Sequence, residues 1–250
     1  MVLHTSCKKI RTEGEAVTEF TILMPCLNEE KTIGSCIDEA KIGIAQCGIS
    51  AEILVADNGS TDRSASIARE HGARVVSVTE KGYGNALIGG IKAAHGKYII
   101  MGDCDMSYDF SHISGFVQKL REGYGLVMGN RFGGIEKGAM SFSHRYIGVP
   151  LLSLAGRIRY RTFVTDFHCG IRGFDREKAL SLGLSCGGME FATEIIGRFA
   201  RSGEKIAEIP VKLRKDGRNG KSHLRSIPDG WRHLKFIITN SCKTFDHSAK

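Results

Sequence analysis

Although the chain contains eight cysteines, it has no Cys-x-x-Cys pair, and Cys26, Cys36, Cys47, Cys104, Cys169 and Cys186 are scattered through segments that read as structured. That scatter argues against a zinc framework and for reduced thiols in a reducing compartment. Residues 1–19 lack the continuous apolar core of a secretory signal and read as a polar tail. The most apolar longer stretch, residues 146–156, falls well short of the ~20 residues that cross a bilayer as a helix. Glycine is missing between residues 26 and 30, where a dinucleotide-binding loop would need it. Gly82-Tyr-Gly84 continues as Asn-Ala-Leu87 without the third glycine, and no Gly-x-x-x-x-Gly-Lys-[Ser/Thr] is present. Ordinary nucleotide-cofactor folds are therefore disfavoured.

What is present is a chain of 250 residues with 42% apolar content, ample for a real core, and a formal net charge of +8. The charge favours an anionic partner: nucleic acid, a phosphate-bearing substrate or an acidic membrane surface. Short β-favouring runs at 20–25, 52–56, 74–78 and 98–101 alternate with helical patterns at 31–46, 63–71 and 82–95, the signature of an α/β fold with a mostly parallel sheet flanked by helices. Each strand ends in polar residues: Asn28 and Glu29, then Asp57 and Asn58, then Gly82 to Asn85, then Asp103 and Asp105. Parallel strands end at one edge, so these segments are expected to converge on one crevice. Carboxylates at i and i+2, as in Asp103-Cys104-Asp105, can face the same side and hold one divalent cation through oxygen. Each also has a plainer reading: Asp103, Asp105 and Asp109 as loop and cap residues, Asn28 as the cap of the first helix.

Met24-Pro25-Cys-Leu27-Asn28-Glu29-Glu30, Asp57-Asn-Gly-Ser-Thr-Asp62, Gly82-Tyr-Gly-Asn-Ala86, Gly102-Asp-Cys-Asp105, Gly129-Asn-Arg131-Phe132 and Asp166-Phe-His-Cys-Gly-Ile-Arg-Gly-Phe174 together resemble family 2 glycosyltransferases of GT-A fold. They are most similar to the branch containing dolichyl-phosphate mannose and glucose synthases, over roughly residues 21–236. The resemblance implies a GT-A domain at 20–236, with a nucleotide-sugar half (20–110) and an acceptor half (111–236), between a polar N-terminal tail and a C-terminal tail at 237–250. It places Pro25, Leu27, Asn28, Glu29, Asp57, Asn58, Gly82, Asn85, Asp103 and Cys104 around the nucleotide sugar, and Mg2+ or Mn2+ at Asp103 and Asp105. Many members carry two aspartates where this chain has Asp57-Asn58.

Arg131 has a family counterpart that contacts an acceptor phosphate, and Arg145 is a second candidate for it. A phosphate acceptor is already ionised near neutral pH, whereas a hydroxyl acceptor needs a base, for which Asp166 is the first candidate and Glu190 the second. The basic stretch 212–225 reads as a lid over the diphosphate, with Arg218, Lys221 and His223 as its candidate contacts. Its few aromatics argue against nucleic acid. Residues 141–163 mix apolar and basic side chains, the pattern of an interfacial helix on an anionic membrane, and equally of a core helix. The expected function is transfer of a hexose from a nucleoside-diphosphate sugar to a polyprenyl phosphate. The chain is expected to be cytoplasmic or peripheral on a membrane, acting alone or beside a membrane subunit. The alternatives are transfer to a hydroxyl, with Asp166 as base, and a silent binding module on the same fold.

Overall fold

Alternation of side chains along the strands sorts the chain into three layers. A computed structural model describes residues 18–217 and 226–239. In strand β1 (Phe20–Cys26) every residue is buried. Phe20, Ile22, Met24 and Cys26 face one core, with Ile33, Ile37 and Phe116, while Leu23 faces the other, with Leu87, Phe191 and Phe199. Helices α1 (Ile33–Cys47), α2 (Ser64–Glu70) and α4 (Ser114–Arg121) cover the first face. Helices α3 (Tyr83–Ala93), α7 (Phe191–Arg201) and α8 (Ser226–Thr239) cover the second.

The sheet has seven strands in the order β3-β2-β1-β4-β6-β5-β7, with β2 at Ala51–Asp57, β3 at Arg74–Ser77, β4 at Tyr98–Met101, β5 at Leu126–Asn130, β6 at Arg172–Asp175 and β7 at Ile206–Pro210. β6 runs antiparallel to both its neighbours, and the other pairings are parallel. The α/β, mostly parallel sheet expected from the sequence is what the structure shows. Because Arg172 pairs with Met101 and Met128, the reversed strand begins at the edge where β4 and β5 end.

Between β5 and β6 the chain makes a long excursion that includes a π-helical turn (His144–Gly148) running straight into α5 (Val149–Tyr160). The short helix α6 (Arg176–Ser181) follows β6, capped by Asp175, which accepts the Lys178 N–H at 3.1 Å. α8 extends three residues past the expected domain end at 236. Among the described residues no helix is long and apolar enough to cross a membrane. Cys26, Cys36, Cys47, Cys104 and Cys169 are free thiols.

Candidate functional site

The loops leaving β1 and β2 are laced into a single wall. Asn28 adopts a left-handed backbone (φ 58°), and its side-chain oxygen accepts the Thr61 N–H at 2.8 Å. It does not cap α1, whose N-cap is Thr32: the amide is spent holding the neighbouring loop. Glu29 is buried, its N–H donating to Ser64 Oγ at 2.7 Å and its carboxylate accepting the Thr32 hydroxyl at 3.1 Å. Asp57 accepts the Gly59 and Ser60 N–H groups at 3.3 Å each, shaping the turn after β2. Pro25 lies within β1, and Leu27 stands exposed at the rim.

Asn58 is a latch. Its side-chain amide donates to the carbonyls of Val78 at 3.1 Å and Glu80 at 2.8 Å, and its oxygen accepts the Gly82 N–H at 2.8 Å. An aspartate could make only the last of these bonds. The glycines that follow serve close approach between backbones: a Cβ on Gly82 would fall 2.2 Å from the Gly187 carbonyl, and one on Gly84 1.9 Å from that of Cys186. Asn85 donates its N–H to Gly187 O at 3.2 Å and its amide to Lys81 O at 3.0 Å.

The acidic pair lies beyond β4, at the carboxyl edge, as expected. Tyr83 donates its hydroxyl to Asp103 Oδ1 at 2.9 Å, and burial together with the Asp103 charge holds its phenol well above the usual tyrosine range. Asp105, 6% exposed, accepts the Ser107 N–H at 3.0 Å. Cys104 points into the core and donates its thiol to Pro25 O at 3.0 Å. The hydrogen bond it shares with Cys26, in which Cys104 is the donor, and burial push that thiol well above the usual cysteine range. Asp109 is occupied with the Ser111 N–H at 3.0 Å and with Arg214 at 3.5 Å. Among the described residues no three His, Cys, Asp or Glu side chains form a metal cluster. Two carboxylates with the remaining oxygens left to a ligand suit Mg2+ or Mn2+ bound together with a diphosphate, since such cations commonly take only one or two carboxylates plus phosphate and water.

Beside the acidic pair, the segment entering β6 meets the end of β5. Asp166, fully buried, receives Arg131 Nε at 2.7 Å, Arg131 Nη2 at 2.6 Å and the Arg131 backbone N–H at 3.1 Å. Glu208 on β7 accepts the N–H groups of Thr165 at 2.7 Å and Asp166 at 3.0 Å, fixing that turn from behind. Gly170 donates its N–H to the Tyr108 hydroxyl at 2.8 Å, and a Cβ there would fall 2.3 Å from Asp103 Oδ2. The two halves of the site are therefore in contact at Gly170. Arg172, 1% exposed, donates to the carbonyls of Phe167, Cys169 and Ala192, holding the same turn.

The sequence reading missed Tyr83, Tyr108, Arg172 and Glu208, although Tyr83 and Arg172 lie inside its motifs. Arg145 sits in the π-helical turn with its guanidinium 5.2 Å from the Tyr146 ring centroid, and among the described bonds none joins it to Arg131. Glu190 is buried and paired with Arg232, whose Nη2 lies 3.0 Å from each carboxylate oxygen. Arg218, Lys221 and His223 lie outside the described residues.

The family model described as "Glycosyl transferase family 2" matches residues 21–182. Among curated proteins, the low-salt glycan biosynthesis hexosyltransferase Agl6 of Haloferax volcanii is 36% identical over 234 residues, 93% of this chain and 56% of Agl6. The chain thus spans little more than half of that relative. The dolichyl-phosphate hexose transferase of the same organism is 31% identical over 241 residues, 89% of this chain and 96% of that protein. Among solved structures, glucosyl-3-phosphoglycerate synthase of Mycobacterium tuberculosis in complex with Mn2+, uridine diphosphate and glucosyl-3-phosphoglycerate gives a TM-score of 0.67 at 25% identity, over 88% of this chain and 77% of that one.

Proposed function

Because the chain belongs to glycosyltransferase family 2, we propose that it moves a hexose from a nucleoside-diphosphate sugar to a polyprenyl phosphate, with a divalent cation at Asp103 and Asp105. The observation that carries the choice of acceptor is the state of Asp166. Both its oxygens are committed to Arg131 and it is fully buried, so it is poorly placed to take a proton from a hydroxyl. A phosphate acceptor needs no such base. One of its oxygens forms the new bond to the anomeric carbon as the bond from that carbon to the diphosphate breaks. The leaving electron pair departs on the diphosphate, and the sugar inverts. In this reading Arg131 binds the acceptor phosphate with its remaining N–H groups while Asp166 fixes its orientation. Asp103 is oriented by Tyr83, and the cation, when bound, neutralises charge growing on the leaving group. The relative named dolichyl-phosphate hexose transferase, matched over nearly its whole length, supports a lipid phosphate.

The excursion supports a membrane-facing site. Phe142, Tyr146, Ile147, Leu151, Leu154 and Ile158 are exposed along it, and Trp231 and Ile238 are exposed on α8, which packs beside α5. Between Glu136 and Asp166 there is no acidic residue, but there are Lys137 and four arginines. A second copy docked face to face would oppose like charges, whereas an anionic bilayer complements both the apolar stripe and the arginines.

A second reading, a soluble acceptor, is favoured by the solved neighbour, whose bound product is glucosyl-3-phosphoglycerate. The deciding assay offers UDP- and GDP-hexoses with Mn2+ or Mg2+, with and without a short polyprenyl phosphate, to wild type and Asp105→Ala. Metal-dependent product that requires the lipid phosphate and is lost in the variant is expected. Donor binding without lipid transfer would move the assignment to a soluble acceptor.

A further inference from the structure

Resting on that reading, we propose that Arg214 is the positioning residue of the metal site: it sets the loop that aims Asp105. After β7 the chain runs back under the acidic loop, and four consecutive carbonyls of that loop accept hydrogen bonds from it. Asp105 O takes the Gly217 N–H at 2.7 Å, Met106 O takes Arg214 Nε at 3.1 Å, Ser107 O takes the Arg214 N–H at 2.9 Å, and Tyr108 O takes Arg214 Nη2 at 2.8 Å. The guanidinium is itself fixed by a bidentate pair with Glu39 of α1, 2.9 Å to each oxygen, and stands 3.5 Å from Asp109. One side chain thereby joins α1, the acidic loop and the segment after β7.

The loop needs such support. Met106 has φ 69°, a left-handed conformation unusual for a residue with a long side chain, and the Asp105 carboxylate depends on the same turn through the Ser107 N–H. Holding the carbonyls on both sides of Met106 keeps the turn, and with it the direction of Asp105, in a single state. A lysine cannot replace the arginine, because it lacks the planar set of donors that serves Met106 O, Tyr108 O and Glu39 together. Gly217 is itself closely packed, since a Cβ there would lie 3.0 Å from Thr32 Cγ2 and 3.2 Å from Met106 Cγ.

The test counts free Mn2+ by its EPR signal as the ion is titrated into full-length protein with saturating UDP, and in parallel with GDP. Arg214→Lys and Arg214→Gln are expected to weaken Mn2+ binding by on the order of tenfold, the scale of losing an outer-shell partner of a metal ligand. Glu39→Gln, which keeps an acceptor for the guanidinium and is the milder change, is expected to fall in between. Arg121→Gln, which breaks the exposed bidentate pair with Glu19 far from the loop, is the stability control and is expected to leave Mn2+ affinity unchanged. Arg214 and Glu39 variants that bind Mn2+ within twofold of wild type, while Asp105→Ala loses it, overturn this proposal and leave the metal assignment standing. Asp105→Ala binding Mn2+ like wild type overturns both.

Discussion

The Arg131–Asp166 pair allows a prediction whose size follows from the geometry. Arg131→Met deletes the two guanidinium bonds at 2.7 and 2.6 Å and leaves a fully buried carboxylate without its ion-pair partner, with only the more distant Arg172 charge to offset it among the described residues. The backbone N–H at 3.1 Å survives the substitution. Breaking a buried pair from one side costs about 3–5 kcal/mol, and the surviving bond puts the expectation near the lower figure. For a chain of this size that is a fall in Tm of about 6–12 °C. Removing both charges in Arg131→Met/Asp166→Leu should restore most of the lost stability, because neither ion is then stranded. The four proteins are compared by urea denaturation followed by circular dichroism. Strict additivity, or an Arg131→Met protein within 1 kcal/mol of wild type, refutes the account of the pair. The kinetic half of the prediction uses Asp166→Asn: if the carboxylate orients Arg131, KM for the phosphate acceptor rises and the shape of the pH–rate profile is retained. Loss of the low-pH limb of that profile would falsify the positioning role and return Asp166 to the role of base.

Two further outcomes can be checked on the same protein. His233 has its pKa pushed down to about 4 by burial and by the nearby Arg172 and Arg232 charges. The folded chain therefore binds fewer protons than the unfolded one between pH 6.5 and about 4, so stability should fall as pH drops through that window, by about 3 kcal/mol in all. His233→Gln should lessen the change in urea midpoint between pH 7 and 5, the buried His168, also pushed down by burial, keeping its own share, and an unchanged slope counts against this assignment. Gly170→Ala places a Cβ 2.3 Å from Asp103 Oδ2 and 2.9 Å from the Tyr108 ring, so it should displace Asp103 and reduce Mn2+-dependent nucleotide affinity on the order of tenfold, measured calorimetrically. Wild-type affinity in that variant would mean that Asp103 does not need its observed position.

Much of the sheet from β1 to β4 was legible because its signals are local. Four apolar runs with helical patterns between them dictate a parallel sheet, and polar residues at strand ends dictate a shared edge; β1 to β4 and their loops follow. What sequence could not supply is pairing across distance. Asn58 reads as a ligand contact because it ends a strand, yet its partners are carbonyls 20 and 22 residues away. Gly82 reads as a ligand contact, yet the backbone it admits is that of Gly187. Asp166 reads as an isolated acid because its cation lies 35 residues earlier. Arg214 disappears into a basic run, where nothing in the composition distinguishes an anchor from a lid. The direction of β6 was equally hidden, since the four residues Arg172-Gly-Phe-Asp175 carry no pattern that says which way the strand is threaded.

That reversed strand has a consequence for how the molecule can vary. Parallel strands contribute only departing segments to the edge where they end; β6 alone contributes an arriving one. The excursion that leaves β5 at Asn130 and Arg131 thus returns to its starting point at Thr165 and Asp166, where Asn130 donates to Thr165 Oγ1 at 2.7 Å beside the Arg131–Asp166 pair. The two ends form a neck, and beyond it α5 turns Ser153, Gly156 and Tyr160 inward, beside α7 and α8, while Leu151, Leu154 and Ile158 stay exposed. A loop closed at its neck can change length and surface without disturbing the strands that frame it. The exposed face of the excursion can therefore be exchanged while the carboxyl edge of β1 to β4 keeps its register.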